Sequence, residues 1–354
     1  MARSGKTNPE PAAYALSSGF GAALAAWYRE NARDLPWRRD RDPYRVWLSE
    51  IMLQQTRVEA VKAYFERFLT RCPDIFSLAA GGDEALMKLW EGLGYYARAR
   101  RLKETAKLIV SLHGGRFPCT LEGLRALPGI GPYTAGAIAS ICFDLPTPAV
   151  DGNVLRVVTR VVNRAESVDD PAVKRRVESA LGAIYPEANA GDLTQGLMEL
   201  GATVCLPNSR PKCSLCPVAH LCAGFQKGTA EGLPVRTPKK ERREEEHTVF
   251  LLRCGSRTAV QKRPDTGLLA RLFELPNLSG RLKAQEALDA AAAWNVAPVS
   301  LLKSTEKTHV FTHIVWHMTC YVILCARADA RFLWADDGEL AADYALPSAF
   351  RMFL

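Results

Sequence analysis

A change of period governs how this chain can fold. From Tyr14 to about Leu200 apolar residues recur at helical spacing, in amphipathic segments punctuated at Cys72-Pro73, Gly81-Gly82, Gly114-Gly115 and Pro146-Pro148. No run in this stretch alternates as a strand does. A cysteine-rich segment, Cys205 to Cys222, follows. Residues Gly224 to Glu246 then lose apolar periodicity and end in the mixed charge run Lys239 to Glu246, a linker signature. After His247 the pattern becomes β-like at Thr248 to Arg253 and Thr258 to Lys262, helical at Lys283 to Trp294, and β-like again from Thr308 to Cys325. In that last run the even positions Val310, Thr312, Ile314, Trp316, Met318, Cys320, Val322 and Leu324 are largely apolar, as one half-buried strand requires. The expectation is a mainly α domain over residues 14–227, a linker over 228–246 and a smaller α+β domain over 247–354.

Composition narrows the function classes. With 354 residues, 48% hydrophobic and 24% charged, the chain is long and apolar enough for two cores, which excludes disordered and coiled-coil classes. The net charge is +8, and +6 of it lies in residues 1–228, which suits a polyanionic partner. Two uncharged stretches, Ala126 to Phe143 and Thr308 to Ala326, are broken by Pro and Gly or by His, so no membrane span is expected. Met1 to Tyr14 has no apolar signal-peptide core, and the expected location is the cytoplasm, at the nucleoid if the source is bacterial. Ten cysteines there call for metal or burial rather than disulfides.

Four motifs carry chemistry. Asp42-Pro43 reads as a helix start, and a periodic helix follows it to about Leu69. At helical spacing Val46, Trp47, Leu53, Val61, Phe65 and Phe68 fall near Glu50, so a carboxyl group points at the core. It is either half of an ion pair with Arg57 or a functional acid of raised pKa. Leu127-Pro128-Gly129-Ile130-Gly131-Pro132 joins two helical patterns. It is either a plain corner or a loop of amides at a helix N-terminus that binds phosphate. Asp151, in Val150-Asp151-Gly152-Asn153, enters the helix Val154 to Val162. A cap there should hold its pKa low, and paired with Glu50 it would divide a general acid from an electrostatic stabiliser. Cys205, Cys213, Cys216 and Cys222 form C-x7-C-x2-C-x5-C, for which zinc, with His220 as a spare ligand, is the ordinary reading.

Leu35-Pro36-Trp37-Arg38, Trp47-Leu48-Ser49-Glu50, Met52-Leu53-Gln54-Gln55-Thr56, Gly92-Leu93-Gly94-Tyr95-Tyr96-Ala97-Arg98, the glycine hairpin, Val150 to Asn153 and the cysteines stand in one order over residues 20 to 225. Together they resemble the adenine DNA glycosylases of the MutY family, within the helix-hairpin-helix glycosylase superfamily. The resemblance implies a two-lobed helical domain with an iron-sulfur loop. In it the four cysteines hold a [4Fe-4S] cluster, and one extra residue, within Leu206 to Lys212, bulges. It implies excision of adenine facing 8-oxoguanine or guanine in double-stranded DNA by a monofunctional monomer. Glu50 is then the acid, Asp151 stabilises the sugar cation, and Tyr133 and Asn153 are their neighbours. Trp37, Arg38, Gln55, Thr56, Leu93 and Tyr95 would contact substrate, and Gly129, Gly131, Arg210 and Lys212 the DNA backbone.

The C-terminal part resembles that family's Nudix-like recognition domain through Gln261-Lys262-Arg263-Pro264, Leu272-Phe273-Glu274-Leu275-Pro276 and Phe311-Thr312-His313. The last three residues would contact 8-oxoguanine. Arg271 stands where that pattern has Gly, and no Glu-rich Nudix box is present, so pyrophosphate hydrolysis is not expected. His309, His313 and His317 would share one strand face that is solvated or contacts a base. Two other classes stay open. An endonuclease III-like glycosylase and lyase would need a lysine nucleophile at the place of Tyr133. A non-catalytic iron-sulfur DNA-binding protein would have no use for Glu50 together with Asp151.

Overall fold

The computed structural model describes residues 14–186, 189–238 and 241–354. It packs as two compact units, Met1–Ala79 with Arg101–Pro238, and Ala80–Arg100 with Lys239–Leu354. In chain order the helices of the first two thirds are α1 (Ser18–Asn31), α2 (Pro43–Leu53), α3 (Val58–Arg71), α4 (Ile75–Ala80), α5 (Asp83–Leu89), α6 (Ala97–His113), α7 (Leu121–Arg125), α8 (Pro132–Phe143), α9 (Gly152–Val161), α10 (Pro171–Gly182), α11 (Ala190–Thr203) and α12 (Ala223–Gln226).

Local chemistry starts these helices. The Asp42 side chain accepts the Arg45 N–H and Pro43 occupies the first turn of α2; Asp170 and Pro171 do the same for α10, and Thr120 caps α7. The helix expected to run to Leu69 is two. Gln55, at φ 60°, breaks it, and α3 restarts at Val58 without Gly or Pro to announce the turn. α8 is built from small residues and is buried along most of its length. A Cβ on Gly136 would lie 2.4 Å from the Pro148 carbonyl oxygen, so only glycine lets that loop pass. α8, α9 and α1 all pack on α11, around Phe20, Leu24, Val154, Val158, Leu193 and Leu197.

The second unit is built on a mixed sheet. Its strands are β1 (Arg243–Cys254), β2 (Arg257–Lys262), β3 (Phe273–Glu274), β4 (Asn277–Ser279), β5 (Pro298–Val310), β6 (Ile314–Cys325) and β7 (Leu333–Ala335). The order is β3-β2-β1-β6-β5, with β4 paired to β1 and β7 to β2. β1 and β6 run parallel, and the other pairs are antiparallel. Three further helices, α13 (Ala284–Ala293), α14 (Asp337–Ala342) and α15 (Ser348–Arg351), complete it.

Three expectations are corrected here. The run Thr308 to Cys325 is a hairpin, not one strand, and Phe311, Thr312 and His313 lie at its turn. Both faces of β6 are buried: Trp316, Met318 and Cys320 join the core of α14 and α15, while Tyr321, Ile323 and Cys325 join that of α13. His309 and His317 therefore sit on different strands, and His313 is in the turn. The charge run is not all linker either, since Arg243 to Glu246 already pair with Ile314 to His317; Lys239 and Lys240 lie outside the described residues. Arg271 adopts φ 63°, the left-handed conformation that glycine takes most readily.

Candidate active site

Within the first unit α2 and α8 pack together and bring Glu50 and Tyr133 to one cavity of about 620 Å³. Trp37, Arg38, Gln55, Thr56, Asp151 and Asn153 also line it, so the residues expected there from this unit converge. Glu50 is 6% exposed. Its partner is not Arg57, the exposed N-cap residue of α3, but Tyr133, whose hydroxyl donates to Glu50 Oε2 at 2.6 Å. Burial pushes the Glu50 carboxyl up to about 7; the Tyr133 hydrogen bond and the nearby Arg38 pull it down, and Asp151 pushes it up.

Asp151 caps α9 by accepting the Val154 N–H at 2.8 Å, and Asn153 Nδ2 donates to its other oxygen at 2.8 Å. Its pKa is nonetheless raised, not lowered as the cap alone led us to expect. Desolvation outweighs the hydrogen bonds from Val154 and Asn153 and the attraction of Arg156. Arg156 fixes this corner, giving Nη2 to Asn153 Oδ1 and to the Gly201 carbonyl, and Nε to the Cys205 carbonyl, each at 2.8 Å.

Sequence reasoning missed the opposite wall. Glu199 on α11 has a fully buried side chain, held by Arg33 Nε at 2.6 Å and Arg38 Nη2 at 2.8 Å. Arg33, Arg38, Gln195 and Met198 line the cavity. At about 100° per residue Glu199 lies roughly 100° or more around α11 from Leu193, Leu197 and Leu200, off their apolar stripe, so the spacing that singled out Glu50 does not mark it.

Cys205, Cys213, Cys216 and Cys222 line one apolar hollow, with Val157, Leu200 and Val218 among its walls. Arg160 Nη1 donates to Cys205 Sγ at 3.3 Å. Among the described residues no group of three or more His, Cys, Asp or Glu draws close enough for a single metal ion. Four cysteine sulfurs around one apolar hollow are a donor set that fits a thiolate-held metal centre. Nearby, Arg210 is exposed and pairs with Glu231 at 3.1 Å, and Lys212 is exposed. Gly129, at φ 76°, and Gly131, the N-cap of α8, present backbone to solvent.

The other expected substrate residues belong to the second unit. Leu93 is buried at 5% exposure. Tyr95 is 46% exposed, at φ 47°, and its hydroxyl lies 2.5 Å from Thr312 Oγ1. Thr312 and His313 are exposed, and the Phe311 ring rests against Trp316, with centroids 4.9 Å apart.

A helical unit with a glycine hairpin, and a cavity holding a buried acid beside a second carboxylate, describe a class of DNA base-excision enzyme. Residues 48–182 match the HhH-GPD superfamily base excision DNA repair protein family, and residues 248–354 match the NUDIX domain. A solved structure described as a thermostable thymine-DNA glycosylase is 27% identical, with a TM-score of 0.52, over 59% of this chain and 95% of that one. Adenine DNA glycosylase of Mus musculus is 35% identical over 95% of this chain and 78% of its own length. That of Buchnera aphidicola subsp. Schizaphis graminum (strain Sg) is 33% identical over 86% of each. The chain belongs to the adenine DNA glycosylase family: it is a base excision repair glycosylase, a hydrolase of N-glycosyl bonds.

Proposed function

We propose that this enzyme excises adenine from double-stranded DNA where it faces 8-oxoguanine or, more slowly, guanine, as a monofunctional monomer. The observation that carries the reading is Glu50, a buried carboxyl group raised to about 7 in a cavity that also holds Asp151. Such a group keeps its proton near neutral pH and can deliver it to a ring nitrogen of a flipped adenine. Tyr133 orients it through the 2.6 Å hydrogen bond. Loss of the base leaves positive charge on the sugar, which Asp151, oriented by Asn153, stabilises; the approach of that charge favours the ionised carboxylate against the desolvation that raises its pKa. Water then completes hydrolysis. Among the described residues no lysine lines the cavity, and Tyr133 stands where a lyase would hold its amine, which supports the monofunctional reading.

In this reading residues 14–227 form the catalytic domain and residues 247–354 the recognition domain. Cys205, Cys213, Cys216 and Cys222 hold a [4Fe-4S] cluster that braces the Arg210 and Lys212 segment beside the backbone of the DNA, which Gly129 and Gly131 also meet. Tyr95, Phe311, Thr312 and His313 meet the base opposite adenine. Preparations should carry about four irons per chain. The deciding measurement is single-turnover release of adenine from duplexes pairing it with 8-oxoguanine, guanine or thymine. The rates should fall in that order, and equal rates on the three would overturn the assignment.

A further inference from the structure

The stretch Trp90 to Arg98 lies in the middle of the helical sequence, yet it packs with the C-terminal sheet. Its turn is strained and laced. Gly92, Gly94 and Tyr95 all have positive φ, at 96°, 68° and 47°. Trp90 Nε1 donates to the Gly94 carbonyl at 3.1 Å, and Arg98 Nη2 donates to the carbonyls of Leu93 and Gly94 at 2.9 and 3.1 Å. A tyrosine in the left-handed region is disfavoured by clash of its Cβ with the backbone, so the surroundings must hold it there.

Glu91 supplies that hold from the near side. Its carboxylate is 7% exposed. Oε1 accepts the Leu346 backbone N–H at 2.8 Å, and Oε2 takes Arg351 Nη2 at 2.6 Å and Lys88 Nζ at 3.0 Å. Lys88 in turn donates to the carbonyls of Leu340 and Tyr344 at 3.2 and 3.0 Å. The gripped segment runs into α15, where Phe350 packs on Trp316; Trp316 packs on Phe311, the neighbour of Thr312. Thr312 meets the Tyr95 hydroxyl and closes a ring. The turn is thus fastened at both ends, by Glu91 to the C-terminal segment and by Tyr95 to the β5–β6 hairpin.

We propose that Glu91 is a positioning residue that sets the Tyr95–Thr312 pair and so helps determine discrimination of the base opposite adenine. The inference rests on the reading above that this pair meets that base. A carboxylate that only stabilised the fold would lower the yield of folded enzyme and leave the ratio of rates on two substrates unchanged. A positioning role moves the ratio.

The test uses the full chain and single-turnover rates opposite 8-oxoguanine and opposite guanine, with active-site titration to count folded enzyme. Glu91→Ala should lower the ratio by about fivefold, the scale of one or two hydrogen bonds. Glu91→Gln, whose amide oxygen still accepts the Leu346 N–H, should recover most of it. Glu91→Ala combined with Thr312→Ala should lose no more than the larger single loss, because both act on one pair. If Glu91→Ala does not fold, Arg351→Met at the half-exposed end of the clamp carries the test, with a drop of about twofold. An unchanged ratio in the folded Glu91 or Arg351 variant, or full additivity with Thr312→Ala, overturns the proposal provided Thr312→Ala and Tyr95→Phe lower the ratio. If those two leave it unchanged, the recognition reading itself fails.

Discussion

Two glutamates of the helical unit are buried to a similar degree and behave in opposite ways. Glu50, on α2, has a single tyrosine hydroxyl on its carboxyl, and desolvation drives it up to about 7. Glu199, on α11, pays the same kind of desolvation penalty, but Arg33 and Arg38 grip both its oxygens and the net pKa is lowered. Burial alone therefore does not decide whether a carboxyl group is an acid or an anion; the partners it is given do. The arrangement also separates two tasks in one cavity. Arg38 can be spent on Glu199, so Glu50 feels it only as a distant charge and keeps its proton.

The difference is broken most directly by making the same substitution at each position. Glu50→Gln should bind mispaired duplex and lose adenine release by two to four orders of magnitude, about the range of general acid catalysis. A single-turnover rate near that of the parent enzyme would make Glu50 merely structural. Stability should respond with a defined sign. The unfolded carboxyl titrates near 4.5 and the folded one near 7, so between these values the folded protein holds a proton that the unfolded chain has released. The contribution of Glu50 is complete below pH 4.5 and declines as pH rises to about 7. Relative to parent, Glu50→Gln should gain up to about 3 kcal/mol between pH 4.5 and 8, read from denaturation midpoints. Glu199→Gln should do the reverse, losing about 2 kcal/mol at pH 8 because two arginines are left in a half-buried corner without their anion. A loss of equal size and sign in both variants at pH 8 would erase the distinction between them.

How far the sequence led follows the range of the interactions concerned. The helical region, the change of period after His247 and the place of Glu50 come from local spacing, and spacing is visible in one chain. The hairpin at Phe311 to His313 was read through as a strand because its turn carries no Gly, Asn or Pro, and because burial of both faces of β6 hides alternation. Gln54 to Thr56 misled in the same way, since a glutamine at φ 60° leaves no compositional mark. Asp151 was expected to have a low pKa because capping is local and legible, whereas desolvation depends on what the rest of the fold places around it. Glu91 bears no local signal, as its partners Leu346 and Arg351 lie more than 250 positions away in sequence. Glu199 was no easier to read, because it sits off the Leu193, Leu197 and Leu200 stripe and its partners Arg33 and Arg38 lie far away in sequence.

The smallest effect sharpens the comparison at the single bond that restrains Glu50. Tyr133 donates to Oε2, which stabilises the charged carboxylate and so works against desolvation. Tyr133→Phe removes that donor and leaves the ring, and the Glu50 pKa should climb further by roughly half a unit to one unit, the equivalent of one modest hydrogen bond. In a pH-rate profile under single turnover the alkaline limb, which reports loss of the Glu50 proton, should move to higher pH by that amount. The plateau below it isolates any effect on positioning, because there Glu50 is protonated in both enzymes. A limb that moved to lower pH would mean that the tyrosine stabilises the neutral acid, and the hydroxyl would then be an acceptor from Glu50 rather than the donor assigned here.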